Sequence, residues 1–325
     1  MKLGNFVLLF VAIFFVFMIS QQIRFDEVKN VNDQKKTFDT YLTTASQDAI
    51  TTLSNNANPS FEHYYLSDKY SAVNKEESYN AFVRTLNRNF EIHDKISEDV
   101  IAQHIPLFAI LEYDGLSINK FQVYKKSGFT YSKRIWMPKI PFTYTDASGN
   151  IFRFTLDDYI QVYDQYNDEW FEGFVDEVAK EANVLLLKDK KKLEIIRKRT
   201  IVETLQAHFA EVIAEHNKFA MKQGITYTFA LPVIDDETWY NSIDDIGIYT
   251  FFQGYPYFKI DKMYNHYAFV GARIKKNERI IGSTQDGRKI FYEENCNFSY
   301  PKEEVFSTKA EAAKAGYSEK SCLNR

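Results

Sequence analysis

Glycine and proline are scarce, at 12 and 7 in 325 residues. That excludes a collagen-like or low-complexity chain. Two cysteines, Cys296 and Cys322, are too few for a dense disulfide scaffold. No charge of one sign dominates: 40 Lys and Arg stand against 44 Asp and Glu, a net charge of -4. A general nucleic-acid-binding surface is not indicated, and nucleic acid is not an expected partner. The chain also lacks a phosphate-binding loop, a dinucleotide fingerprint, G-x-S-x-G, H-E-x-x-H and H-x-x-E-H. No cofactor, metal or catalytic set is therefore expected, and the chain is read as non-enzymatic. What the sequence has instead is aromatics, 28 Phe and 22 Tyr. The length suggests about two domains with a substantial core.

Leu3 to Ile23 contains no charged residue, and Phe6 to Ile19 is unbroken apolar sequence. Twenty-one helical residues span about 31 Å, enough to cross a hydrocarbon core. A cleavable signal is the competing reading, but Met18 fits poorly two residues before a cleavage site at Ser20. An uncleaved transmembrane anchor over 1–23 is expected. Counting Arg24, Lys29, Lys35 and Lys36 after the span favours the C-terminal side inside. Long domains, however, translocate largely regardless of charge, and the expected localisation is a single-pass cell-membrane protein with its C-terminal domain outside.

After the span, Val28, Val31, Lys35, Phe38, Leu42, Ala45, Ala49 and Thr52 recur at alternating three- and four-residue spacing. No Gly or Pro interrupts Asn5 to Asn58. One continuous helix is expected, its stalk covering 24–58. The apolar stripe of Val28, Val31, Phe38, Leu42, Ala45 and Ala49 packs either on the chain's own domain or on neighbouring copies. A short basic start, an apolar helix and an amphipathic continuation resemble the stalk of type IV and Tad-type pilins and pseudopilins. So does the segment Phe38-Asp39-Thr40-Tyr41-Leu42-Thr43-Thr44-Ala45. The segment Asn74 to Phe90, with Ile105-Pro106 and Glu112-Tyr113-Asp114-Gly115, is similar to pilin-like membrane proteins of Gram-positive bacteria. The resemblance implies a structural subunit of an envelope assembly, with the membrane, other subunits or its own copies as partners.

The remainder reads as an α+β domain over 59–281. Ala81, Phe82, Leu86 and Phe90 mark a helix. Strands are expected at 105–111, 117–124, 129–136, 140–144 and 151–156, as one antiparallel meander turning at Asp114-Gly115 and Gly149. Apolar stripes from Phe171 to Leu185 and from Leu193 to Phe219 predict a helical hairpin inserted at about 157–224. Strands resume at 225–231, 246–252 and 267–274. Lys188 to Arg199 is basic but diluted by Asp189 and Glu194, and reads as a solvated helix start. His208, Glu211, Glu215 and His216 share one helix, read as a polar face rather than a metal edge. The pairs Asp157-Asp158, Asp235-Asp236 and Asp244-Asp245 read as caps and turns, since adjacent side chains diverge. Aromatics between Tyr249 and Phe269 fit sheet packing. A glycan- or peptide-binding surface there is the alternative, and would make the chain a monomeric surface receptor or adhesin.

Residues 282–325 form a separate module. Asp286-Gly287 turns a hairpin, and a helix over Lys309 to Ala315 lies between Thr308 and Gly316. The string Val305-Phe306-Ser307-Thr308-Lys309-Ala310-Glu311-Ala312-Ala313-Lys314-Ala315-Gly316-Tyr317 resembles the small zinc-binding domain of Ada-type repair proteins. That family holds zinc with four cysteines, whereas only Cys296 and Cys322 are present here. A Cys296–Cys322 disulfide is expected in place of the metal, contributing about 3 kcal/mol, and with it an oxidising, non-cytosolic location.

Overall fold

The computed structural model describes residues 3–55, 67, 69–70, 73–258, 262–271, 280–285, 287–293, 296, 298, 300–306 and 309–320. Within these, the side chains of 3–9, 54–55, 129–130, 271 and 310 lie outside the description. Helix α1, Leu3–Asn55, runs 53 residues without a break, as the absence of Gly and Pro after Gly4 allows. It crosses the expected anchor–stalk boundary at 23/24 without interruption. Two shorter helices follow. Asn74 caps α2, Lys75–Asn89, by accepting from the Glu77 N–H, and Asp94 caps α3, Lys95–Gln103, through the Ser97 N–H.

The expected membrane span is overturned. Among the described residues, no helix is long and apolar enough to cross a membrane. In α1 the apolar run ends at Ile19, and Ser20, Gln21, Gln22 and Arg24 follow within the same helix. The transmembrane part of the expected fold class falls with it, and so does the single-pass, C-terminal-outside localisation.

The centre of the protein is a five-stranded antiparallel sheet. Its strands are β1 (Leu107–Glu112), β2 (Gly115–Lys126), β3 (Phe129–Trp136), β8 (Gly247–Pro256) and β9 (Met263–Gly271). Their order across the sheet is β3-β2-β1-β8-β9. Strand β1 is central and buried on both faces. Leu107, Ala109 and Leu111 point into one core, while Phe108 and Ile110 point into the other. This is why its sequence is a continuous apolar run rather than an alternating one. On the second face lie the C-terminal half of α1 and helix α2, through Leu42, Ala45, Ala49, Leu53, Phe82 and Leu86.

The first face is covered by helix α5, Lys190–Lys222, and by a second antiparallel sheet. That sheet contains β4 (Phe142–Thr145), β5 (Ile151–Phe154), β6 (Tyr159–Asp164) and β7 (Glu169–Phe174), in that order. The meander expected as one sheet is therefore divided between two. The break lies between Pro138 and Pro141, each without an N–H to continue a ladder. An isolated bridge between Leu116 and Ile140 joins the two sides there. The β1–β2 turn is Tyr113-Asp114, with Gly115 already paired to Glu112. Glycine is required at 115 because a Cβ would lie 2.6 Å from the Ile140 carbonyl oxygen.

The expected helical hairpin at 157–224 is also corrected. Its first half is the β6–β7 hairpin, a short helix α4 (Val175–Glu181) and a 3-10 turn at Leu185–Lys188. The stripe from Phe171 to Leu185 is shared among these elements. The hairpin forms because Asp164 accepts from the Tyr166 and Asn167 N–H groups at 2.9 and 3.2 Å, closing an Asx turn. Residues 225–231, expected as a strand, have no ladder. Two side-chain amides take its place. Asn217 bonds both backbone groups of Phe229, at 2.7 and 2.8 Å, and Gln253 bonds both of Ala230, at 3.0 and 2.8 Å. Helix α6 (Asp236–Ser242) follows, capped by Asp235.

The C-terminal sheet has the order β12-β10-β11-β13, with β10 Ile280–Gln285, β11 Arg288–Glu293, β12 Glu304–Phe306 and β13 Ser318–Glu319. Helix α7, Lys309–Lys314, ends at Gly316 with φ 86°. The Gly316 and Tyr317 N–H groups bond back to Ala313 and Ala312, the arrangement a left-handed glycine permits. Asp286 and Thr308 lie outside the described residues. Cys296 is disulfide-bonded and sits with Ile281 and Tyr292, while Cys322 lies outside the described residues.

Leu42→Ala tests the docking of α1. Leu42 is fully buried between α1 and the sheet, so the variant is expected to lose about 2–5 kcal/mol. The midpoint and slope of urea unfolding measure it.

Candidate functional site

The two halves of α1 have opposite environments. From Phe10 to Ile19 the large apolar side chains are 46–68% exposed, and Ile23, Phe25 and Val28 continue the exposure. Ten successive helical positions point in every direction, so this is an apolar cylinder, not a stripe. Among the described residues its ring contact is internal, Phe10 on Phe14 at 6.1 Å. Such a surface is too large and too continuous for an isolated chain in water, and marks an interaction site.

From Val31 onward the helix is seated in an aromatic socket. Phe38 packs among Phe90, Tyr255, Tyr257 and Tyr264, with ring centroids 5.2–5.9 Å away. Asp39 accepts a 2.7 Å hydrogen bond from the Tyr264 hydroxyl and pairs with Lys35 at 2.6 Å. His266 Nε2 lies 3.7 Å from the same carboxylate. Burial and the hydrogen bond to Asp39 raise the Tyr264 phenol above its ordinary value. Burial lowers His266, with Asp39 opposing and Lys35 assisting. Gln34 brackets the β8–β9 loop, accepting from the Phe258 N–H at 2.6 Å and donating to its carbonyl at 3.2 Å.

The expected stalk residues divide accordingly. Leu42, Ala45 and Ala49 are buried against α2 and the sheet, Val31 and Phe38 are half-buried there, and only Val28 is exposed. The chain uses most of the stripe internally. Self-association through Phe38, Leu42 or Ala49 would require undocking α1.

The other candidates are scattered. His208 Nδ1 lies 3.3 Å from Glu211, Glu215 binds Lys120 at 2.5 Å, and His216 points into the core. They do not converge. Part of the basic run is paired: Lys190 with Asp176, Arg197 and Lys198 with Glu194. Asp157 turns inward. Burial pushes its carboxyl up, but hydrogen bonds from Ser67, Tyr113, the Tyr159 N–H and Thr155 outweigh this and hold it below the ordinary value. Of the aromatics from Tyr249 to Phe269, Tyr249, Phe251, Phe252, Tyr257 and Tyr264 are buried, and Phe258 is exposed.

Two features had no sequence signal. One is an apolar cleft of about 690 Å³ between the second sheet and α5, floored by Phe154, Ile160, Phe174 and Leu193. It exists only because β6–β7 is a hairpin. The other is Arg134, which donates to Asn119 and to the Ala102 and Ile105 carbonyls at the end of α3, stacked on Phe121 at 4.3 Å. It adds a charged donor to carbonyls at and just beyond the end of α3, a structural duty.

No protein-family profile, curated protein or solved structure matches the chain.

His216 supplies a pH test of the core. Its Nε2–H donates to the Gln103 carbonyl at 2.8 Å, so Nδ1 is the site left for a second proton. That nitrogen is buried without a partner. Burial and the nearby Arg134 charge lower the imidazole to about 4. The unfolded chain protonates His216 below about 6.5, the folded chain only below about 4, so stability falls as pH drops through that window. A loss of up to about 3 kcal/mol is expected. His216→Gln should show a correspondingly flatter pH dependence of urea unfolding between pH 6.5 and 4.

Proposed function

We propose that the chain is a non-enzymatic, pilin-like or pseudopilin-like structural subunit of a bacterial envelope assembly, such as a pilus, secretion or conjugation apparatus. A membrane-spanning segment is not part of this reading. One observation carries it. A single rigid helix presents an apolar cylinder at one end and is locked to a folded domain at the other. A cylinder apolar on all sides needs neighbours on all sides. Equivalent helices from several copies supply them symmetrically, and the docked half holds each globular domain at a fixed distance from that axis.

Among the described residues, the mostly buried aromatics from Tyr249 to Phe269 give the receptor or adhesin alternative no exposed platform of comparable size.

Cysteine placed at Phe14 or Met18 is expected to form disulfide-linked multimers between chains on oxidation, read on non-reducing gels. Cysteine at Leu42, buried in the chain's own domain, should not. Exclusively monomeric Phe14→Cys and Met18→Cys at concentrations where the chain is assembled would remove the proposal.

A further inference from the structure

The charge of the domain is segregated onto two open sheet edges. Between residues 115 and 145 there are six basic residues, Lys120, Lys125, Lys126, Lys133, Arg134 and Lys139, and no Asp or Glu. Between 155 and 182 there are nine acidic residues and one basic, Lys180. The near-neutral total charge conceals this.

The basic segment forms the outer strands β2 and β3. Beyond about residue 122 the hairpin extends past the sheet, and its described side chains are exposed on both faces. Lys120, Arg134 and Lys139 are engaged within the chain, with Glu215, backbone carbonyls and Asp114 respectively. Lys125, Lys126 and Lys133 have no carboxylate partner among the described residues. Between them Tyr124 and Tyr131 stack at 5.7 Å, both more than a third exposed. Strand β3 ends its sheet, so one edge of its backbone is open.

The acidic segment is β6–β7 and α4. Strand β7 likewise ends its sheet. Glu169, Trp170 and Glu172 are exposed along it. Glu172 accepts from the Tyr159 hydroxyl, and among the described residues neither Glu169 nor Glu172 has an ion pair. Arg153 is stacked over Trp170 at 4.5 Å, and Lys190 pairs with Asp176 of α4 beyond the strand. Natural proteins protect open edges with charge because an uncharged edge pairs indiscriminately. Here the two edges carry opposite charges, each beside an exposed aromatic. Each repels its own kind and attracts the other.

We propose that β3 of one copy pairs with β7 of a second copy, joining the two sheets head to tail. The two surfaces are different, so the contact is heterologous. Each added copy uses one edge and presents its other, so the row always keeps a free β3 at one end and a free β7 at the other. The contact deepens the assembly reading above and rests on it, but does not use the apolar helix.

The test mixes equal amounts of isotopically light and heavy full-length chain and treats them with a zero-length carbodiimide. Crosslinks of mixed isotope are expected between Lys125, Lys126 or Lys133 and Glu169 or Glu172. Two charge-reversed chains follow, K125E/K126E/K133E and E169K/E172K. Each alone should lose these crosslinks and weaken low-salt self-association by about tenfold or more. An equal mixture of the two should restore both, because each reversed edge then meets its complement. Crosslinks found only within single chains, or association unchanged in both reversed chains, overturns the proposal. Binding of the basic hairpin to heparin with no mixed-isotope crosslink to β7 overturns it as well. Failure here with cysteine crosslinks at Phe14 intact leaves the helix-mediated assembly standing. The converse result separates the two the other way.

Discussion

The seating of α1 on the central sheet is the constraint from which the rest follows. A helix of 53 residues has no reason to be held in place along its whole length, and among the described residues it is held from Val31 onward, by the Phe38 socket, Gln34 and the Leu42–Leu53 stripe. Burial of those side chains supplies the attraction. The bonds from Tyr264 to Asp39 and from Phe258 to Gln34 supply position, since a misplaced helix would leave a buried phenol and an aspartate unpaired. With that half fixed, the exposed half becomes a rigid extension of the domain rather than a flexible tail.

The same seating explains the double-sided sheet. Strand β1 meets α1 and α2 on one face and α5 with the second sheet on the other, so it has no water-facing residues from Leu107 to Leu111. Polar groups that must cross this packed centre are paired by particular side chains. Gln253 and Asn217 serve the 225–231 segment, Arg134 and His216 the end of α3. These residues specify the connections between layers, whereas the aliphatic and aromatic residues provide the cohesion. Charge is left to the outer strands, where Lys125, Lys126, Lys133 and Glu169 have no ion pair among the described residues.

Legibility followed the range of the interaction that decided each element. Helices α1, α2 and α7 could be read because caps, apolar spacing and missing Gly and Pro act within a few residues. The β1, β2, β3 and β8 strands could be read from their apolar or alternating runs. The β6–β7 hairpin could not, because Tyr159 and Val162, like Phe171 and Phe174, stand three residues apart, a helical spacing and not an alternating one. The Asx turn at Asp164 was the missed local clue. Residues 225–231 look like a strand because nothing nearby reveals that Asn217 and Gln253 will take their backbone bonds. The division of the meander into two sheets needed the burial of both faces of β1, which no single segment contains.

The sequence by itself determined the long uninterrupted helix, the α+β class, the lack of any recurrent catalytic motif and the position of the small C-terminal module. These depend on local sterics and composition. Only the tertiary structure decided which half of α1 is used internally, since a stripe of Leu42, Ala45 and Ala49 serves a self-contact and a contact between copies equally well. Only the tertiary structure placed the basic segment at the edge of one sheet and the acidic segment at the edge of another, because the partner that fills the far side of β1 is β8, more than a hundred positions away.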